Sequence, residues 1–181
     1  MFHVECIGVG LAQCVQPILE GFPDQIDRVR RFLKTLLNTR KTAELQTNAG
    51  LLFQDYHEMK LDSANNWCST VVMIDSAVNM RMVIDDMITR NEGMFDPLTA
   101  EDWNILELIV AIMGNFHLAA LESKTDYPSL SEALVLMDFL TTHHLNALVE
   151  KETEMPTWWR TLSKETLDRA QEFLNSVLTD V

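Results

Sequence analysis

Apolar residues recur at helical spacing in nearly every window of this chain. From Asp24, the residues Ile26, Val29, Leu33, Leu36 and Leu37 form one stripe, with arginines beside and opposite it. Residues 44–60 give a weaker pattern through Leu45, Leu52, Phe53 and Tyr56. Val71, Ile74, Val78, Met82 and Val83 predict one helix from Ser69 to about Thr89. Asp85 and Asp86 oppose the dipole at its C-terminal end, so it frays near Asn91-Glu92-Gly93. The clearest helix is capped by Thr99 and runs through Trp103, Leu106, Ile109, Val110, Met113, Phe116 and Leu121. Asp102 stands where a capping box usually carries Glu. Pro128 and the Ser129…Glu132 pair open another helix, and Ser163 caps a last one with Leu167, Ala170, Leu174, Val177 and Leu178 inward. Alternation of the β type is confined to "FHVECIGV", which leaves room for a strand stub at residues 2–6. The expectation is one all-α domain over 1–181, an irregular multi-helix bundle.

Composition agrees with that reading. The chain has 181 residues, 47% of them hydrophobic, with only 6 Gly and 5 Pro, which suits long helices joined by few tight turns. No run reaches the roughly 18 uninterrupted apolar residues of a membrane span, so no membrane partner is expected. Cys6, Cys14 and Cys68 form no CxxC and cannot all pair, which reads as a reduced intracellular protein.

Charge changes the picture more. The net charge is −13, and it is uneven. Residues 1–90 carry 9 Lys and Arg against 11 Asp and Glu, whereas residues 91–181 carry 5 against 16. Residues 28–41 hold Arg28, Arg30, Arg31, Lys34, Arg40 and Lys41 with no acid. That stretch is either a solvated helix face or a phosphate contact opposed by the acidic half.

No other constellation recommends chemistry. His143 and His144 are adjacent, and neighbours on a helix point about 100° apart, so they do not face one ion. Glycine-rich phosphate loops, HExxH and a spaced Ser/His/Asp set are all missing from the sequence. Asp85-Asp86 and Glu150, Glu152 and Glu154 read as solvated acids. The expectation is no enzyme activity, no cofactor, no metal and no small-molecule substrate.

The order of several stretches nevertheless resembles a family. "VECIGVGLAQCVQPILE", a basic helix, "LDSANNWCSTVVMIDSAVNMRMVID", "LTAEDWNILELIVAIMGNFHLAAL" and "YPSLSEALVLMDFL" resemble the central all-α insertion of hAT-superfamily transposases, which have a ribonuclease H-like core and BED zinc-finger relatives. Leu61, Asp62, Ser69 and Thr70 match that family's Leu-Asp-x-x-x-Arg-Trp-Asn-Ser-Thr signature, and Trp67 matches its tryptophan. The resemblance implies that Trp67 stands at a DNA end and stacks on a turned-out base, a contact worth roughly 1–3 kcal/mol. Its residue-level alternative is a ring packed at the start of the helix from Ser69, where truncation costs about 3–5 kcal/mol. Asn66 replaces the signature arginine, Cys68 its asparagine, and Val9 the histidine of a Cys-x-x-His motif begun by Cys6. The resemblance implies that the acidic catalytic residues lie outside this chain, so strand cleavage with divalent metal is not expected. Two functions follow. One is a fragment or degenerate relative of a transposase, nuclear, with weak DNA binding through Trp67, Arg28, Arg30, Arg31 and Lys34. The other is an acidic helical module for protein interaction or dimerisation.

Overall fold

The computed structural model describes residues 4–63, 65–122, 135, 139, 160–161, 164–166 and 168–172. Six helices cover most of them: α1 (Val4–Gly21), α2 (Pro23–Asn38), α3 (Thr42–Leu51), α4 (Trp67–Asn79), α5 (Arg81–Arg90) and α6 (Ala100–Glu122). No strand occurs among the described residues, and the all-α reading holds. The strand stub does not form as expected. Helix α1 already begins at Val4, and residues 2 and 3 lie outside the described part. Of the helix opened by Pro128 and the Ser129…Glu132 pair only residues 135 and 139 are described, both helical; the His143-His144 pair, Glu150, Glu152, Glu154 and Ser163 lie outside the described part, as do Leu167, Leu174, Val177 and Leu178.

The chain divides into two compact units, Met1–Gly21 with Ala111–Val181, and Phe22–Val110. In the first, Leu11, Cys14, Val15 and Ile18 recur at three- and four-residue spacing on α1 and are buried. Pro17 lies inside this helix, where its missing N–H leaves the Gln13 carbonyl without its usual intrahelical donor. Arg169 supplies a replacement, its Nη1 donating to Gln13 O at 3.2 Å. Arg169 is held in turn by Glu165, one helical turn earlier, at 2.9 Å. Ala170 is buried, as its spacing predicts.

In the second unit, α2 opens at Phe22 with Pro23 in its first turn, a position where a proline costs no intrahelical bond. Its buried face comprises Ile26, Val29, Phe32, Leu33 and Leu36, while Leu37 is largely exposed. The Phe32 ring lies 4.9 Å from that of Phe95, which ties the segment before α6 to this helix. Helices α2 and α3 end in the same way, and neither end uses glycine. Lys41 N–H bonds to Leu36 O and Arg40 N–H to Leu37 O. Gln54 N–H bonds to Ala49 O and Phe53 N–H to Gly50 O. Each is a paired C-terminal cap that requires a left-handed residue, here Arg40 (φ 56°) and Phe53 (φ 53°). A side chain with a Cβ pays roughly 1–2 kcal/mol for that conformation.

The helix proposed for residues 69–89 is two helices. Helix α4 begins two residues earlier, at Trp67, and ends at Asn79, and α5 restarts at Arg81. Met80 joins them, fully buried, with its N–H bonded to the carbonyls of Ser76 and Ala77 and its own carbonyl accepting from Val83 and Ile84. The break rotates the apolar stripe. Met82, proposed as inward, is 64% exposed, and Met80, Val83, Ile84 and Met87 fill the core instead. Asn91 ends α5, its side chain accepting from Lys41 Nζ at 2.7 Å and donating to Glu44 at 3.1 Å and to Met87 O at 3.0 Å.

Helix α6 carries a reciprocal cap. Thr99 N–H donates to Asp102 Oδ2 at 2.8 Å, and Asp102 N–H donates to Thr99 Oγ1 at 3.1 Å. The shorter aspartate thus closes a box that usually holds glutamate. Trp103, Ile105, Leu106 and Ile109 are buried beyond it, whereas Leu121, expected inward, is 48% exposed. By length and composition, Ala100–Leu121 is long and apolar enough to cross a bilayer, a property that a core helix shares.

Candidate nucleic-acid interface

The basic stretch of residues 28–41 lies on α2 and the turn that follows it. Three-residue spacing places Arg28 and Arg31 on one side, and Arg30 points elsewhere. Arg28 Nη1 donates to Asp102 Oδ2 at 3.0 Å and to Pro97 O at 3.4 Å. Arg31 Nε donates to Asp96 Oδ2 at 2.9 Å. Both therefore brace α2 against the segment that leads into α6. Arg30 reaches the loop before α4. Its Nε and Nη2 grip the nearly buried Asp62 carboxylate at 2.6–3.0 Å, and its Nη1 holds Asp27 at 2.6 Å. Lys41 is paired with Glu44. Lys34 and Arg40 are exposed, and neither pairs with an acid among the described residues.

A planar guanidinium gripped by both oxygens of one carboxylate is a strong, directional arrangement. A phosphate gains Arg30 only by displacing Asp62, and Asp62 would then lie nearly buried without its counter-charge. The pairs differ in weight. Arg31 and Asp96 are both more than half exposed, and such a pair contributes about 0–1 kcal/mol. The Arg30–Asp62 pair, with Asp62 7% exposed, carries more.

The loop from Leu61 to Asn66 explains the residues that match the signature. Asp62 also accepts the Thr70 hydroxyl at 2.9 Å, so one carboxylate joins α2, the loop and α4. Ser69 Oγ donates to Asn66 O at 2.7 Å and accepts Ser63 N–H at 2.9 Å, folding the loop back on the helix start. Asn65 takes the left-handed backbone (φ 63°) that asparagine tolerates. Asn66, where the signature has arginine, is the N-cap of α4, its Oδ1 accepting Ser69 N–H at 3.3 Å. The substitution removes a positive charge and supplies a helix cap.

Trp67 opens α4 and is half-buried. It is neither a fully enclosed plug nor a free ring, so the 3–5 kcal/mol of a fully buried aromatic does not apply to it. The fully buried tryptophan is Trp103, at 1% exposure. Its indole N–H donates to Asp85 at 3.0 Å, and the Arg81 guanidinium lies 5.6 Å from its ring centroid while pairing with Glu107 at 2.8 Å. Asp85, read from sequence as a solvated acid, is the acceptor for the core tryptophan. Asp86 pairs with Arg90.

Both capping and bracing carboxylates have lowered pKa values. Burial pushes Asp62 upward, but hydrogen bonds from Arg30 and Thr70 and the charge of Arg30 outweigh it, leaving the group below its usual value. Burial likewise raises Asp102, outweighed by the Thr99 N–H and hydroxyl, the charge of Arg28 and a bond from Gln25. The unfolded chain therefore binds protons more readily at these groups than the folded one. Their contribution is present above the ordinary carboxylate pKa near 4 and is lost as pH falls through the lower folded values. Melting temperature is expected to decline steadily below about pH 4, and less steeply in Asp62→Asn than in wild type. Equal slopes in a pH series of thermal melts would contradict the assignment.

Among the described residues, no three His, Cys, Asp or Glu are grouped to hold an ion. The Cys14 thiol is pushed up to about 11 by burial, partly offset by the charge of Arg169, and stays protonated near neutral pH. The arginines are legible along the chain, and most of their partners are not. Asp62 and Thr70 were visible as signature residues, but Asp96 and Asp102 are 65 and 74 residues from the arginines they hold, beyond any local pattern.

No curated protein and no solved structure matches the chain. A family model described as the ZBED1 RNase-like helical domain matches residues 4–112, which takes in α1 to α5, the arginine braces, the Asp62 loop and the start of α6. With more than half of its length matched, the chain belongs to the ZBED1 RNase-like helical domain family and is transposase-related.

Proposed function

We propose that this chain is a non-catalytic helical module of a hAT-type transposase-related protein, and that its own hold on DNA is weak and salt-sensitive. The observation that carries the reading is the bidentate Arg30–Asp62 pair. The residue type that resembles a phosphate contact is spent on joining α2 to the signature loop. Arg28 and Arg31 are likewise held by Asp102 and Asp96. Val9, in place of the resembled histidine, is 56% exposed and offers neither a proton nor a ligand. The net charge of −13 adds a repulsion that a few free cations do not reverse.

Lys34 and Arg40 are the cations on this stretch that pair with no acid among the described residues. Fluorescence anisotropy with a 20-base-pair duplex is expected to give a log–log salt slope near −2, one phosphate for each. Lys34→Glu with Arg40→Glu should remove the residual binding without changing the melting temperature. Arg30→Ala should lower the melting temperature and leave the slope where it was. Loss of binding in a Trp67→Ala protein that melts like wild type would instead support base stacking, and would overturn the assignment of the residual binding to Lys34 and Arg40. The same preparation is expected not to nick supercoiled plasmid with Mg²⁺ or Mn²⁺.

A further inference from the structure

Phe53 is the least economical residue in the described structure. Its ring is 100% exposed, and its backbone occupies the left-handed region at the end of α3. Glycine would satisfy that cap without strain, so phenylalanine contributes nothing visible to the fold. Strained backbone that persists without a packing return is a mark of function. The segment is also held in place. Phe53 N–H bonds to Gly50 O, Gln54 N–H to Ala49 O, the Gln54 side chain to Asn79 O, and His57 N–H to Met80 Sδ. Leu51 (61% exposed) and Tyr56 (37%) flank the ring in sequence. Asp55 and Glu58 are exposed and belong to the same segment.

We propose that Phe53 is the anchor of a protein-docking site, inserting into an apolar pocket whose rim carries lysine or arginine. A preformed, fully exposed aromatic is the residue type that concentrates binding energy at interfaces. Asp55 and Glu58 outnumber Lys60, which lies 3.2 Å from Glu58 in a highly exposed pair of little strength, so the rim is net acidic, and the acidic net charge of the chain speeds encounter with a basic partner. The same acids oppose a nucleic-acid occupant, and a net charge of −13 opposes a second copy. The inference does not depend on the DNA reading above.

The test uses the full chain in its native cells, with p-benzoyl-phenylalanine introduced at position 53 and, as control, at exposed position 82. The expected adduct forms from position 53 only and maps to a partner peptide with lysine or arginine beside apolar residues. Asp55→Lys with Glu58→Lys should reduce its yield roughly tenfold, as should raised salt. In vitro, Phe53→Gly should raise the melting temperature by about 2–4 °C, because the strain is relieved. A lowered melting temperature would make Phe53 a structural residue and overturn the proposal. So would the absence of an adduct, an adduct to another copy of this chain, one to DNA, or one indifferent to charge reversal.

Discussion

Replacing Trp103 by alanine is expected to cost about 3–5 kcal/mol, the range for removing a fully buried aromatic. The melting temperature should fall by roughly 8–15 °C for a chain of this size. Three losses combine. The ring leaves a cavity in a helix whose residues Leu106 and Ile109 are also fully or almost fully buried. Asp85 loses the indole N–H at 3.0 Å, and Arg81 loses the ring it covers. Trp103→Phe keeps a ring at the site but removes the donor together with part of the indole's volume. It should cost about 2–3 kcal/mol, and a double-mutant cycle with Asp85→Ala should isolate the hydrogen bond as a coupling of about 1 kcal/mol. Chemical denaturation checks both. A Trp103→Ala protein within 1 kcal/mol of wild type would show that the ring is not the keystone of this unit.

The second large effect concerns Asp62. Asp62→Asn keeps the shape and removes the charge that Arg30 grips. Removing one partner of a fully buried ion pair costs about 3–5 kcal/mol. Arg30 is 32% exposed and keeps Asp27, so the expected cost is about 2 kcal/mol, or roughly 4–8 °C in melting temperature. Thr70→Val, which removes the other partner of the same carboxylate, should cost about 1 kcal/mol. Together the two should fall short of their sum, because both act on one carboxylate. Additive losses in thermal melts would mean that the two contacts are independent and that Asp62 is not the shared joint. The same variants bear on function. If Asp62→Asn freed Arg30 for phosphate, DNA affinity would rise as stability fell, the reverse of what loss of a direct DNA contact would give.

Much of this fold is local physics, and the sequence states it openly. Ile26, Val29, Leu33 and Leu36 recur at helical spacing, and α2 buries all four. Thr99 and Asp102 sit three residues apart before an apolar run, and they form the cap of α6. In each case the information lies within one or two turns of helix, where neighbours along the chain are also neighbours in space.

Other features depend on groups far apart in sequence. Nothing between Val78 and Met82 resembles a helix breaker, yet α4 ends and α5 begins around Met80, whose side chain is fully buried. No glycine announces the ends of α2 and α3, which Arg40 and Phe53 close in a conformation that their residue types disfavour. Six bases without an acid look like a charged patch when read along the chain. In space, Asp62, Asp96 and Asp102 meet three of them from 32, 65 and 74 residues away. The sequence by itself determined the helical class and the register of the buried face of α2, since both follow from spacing and propensity. Tertiary structure decided where the helices break and which charges remain free. Those outcomes depend on long-range pairing and burial, and no local pattern records them.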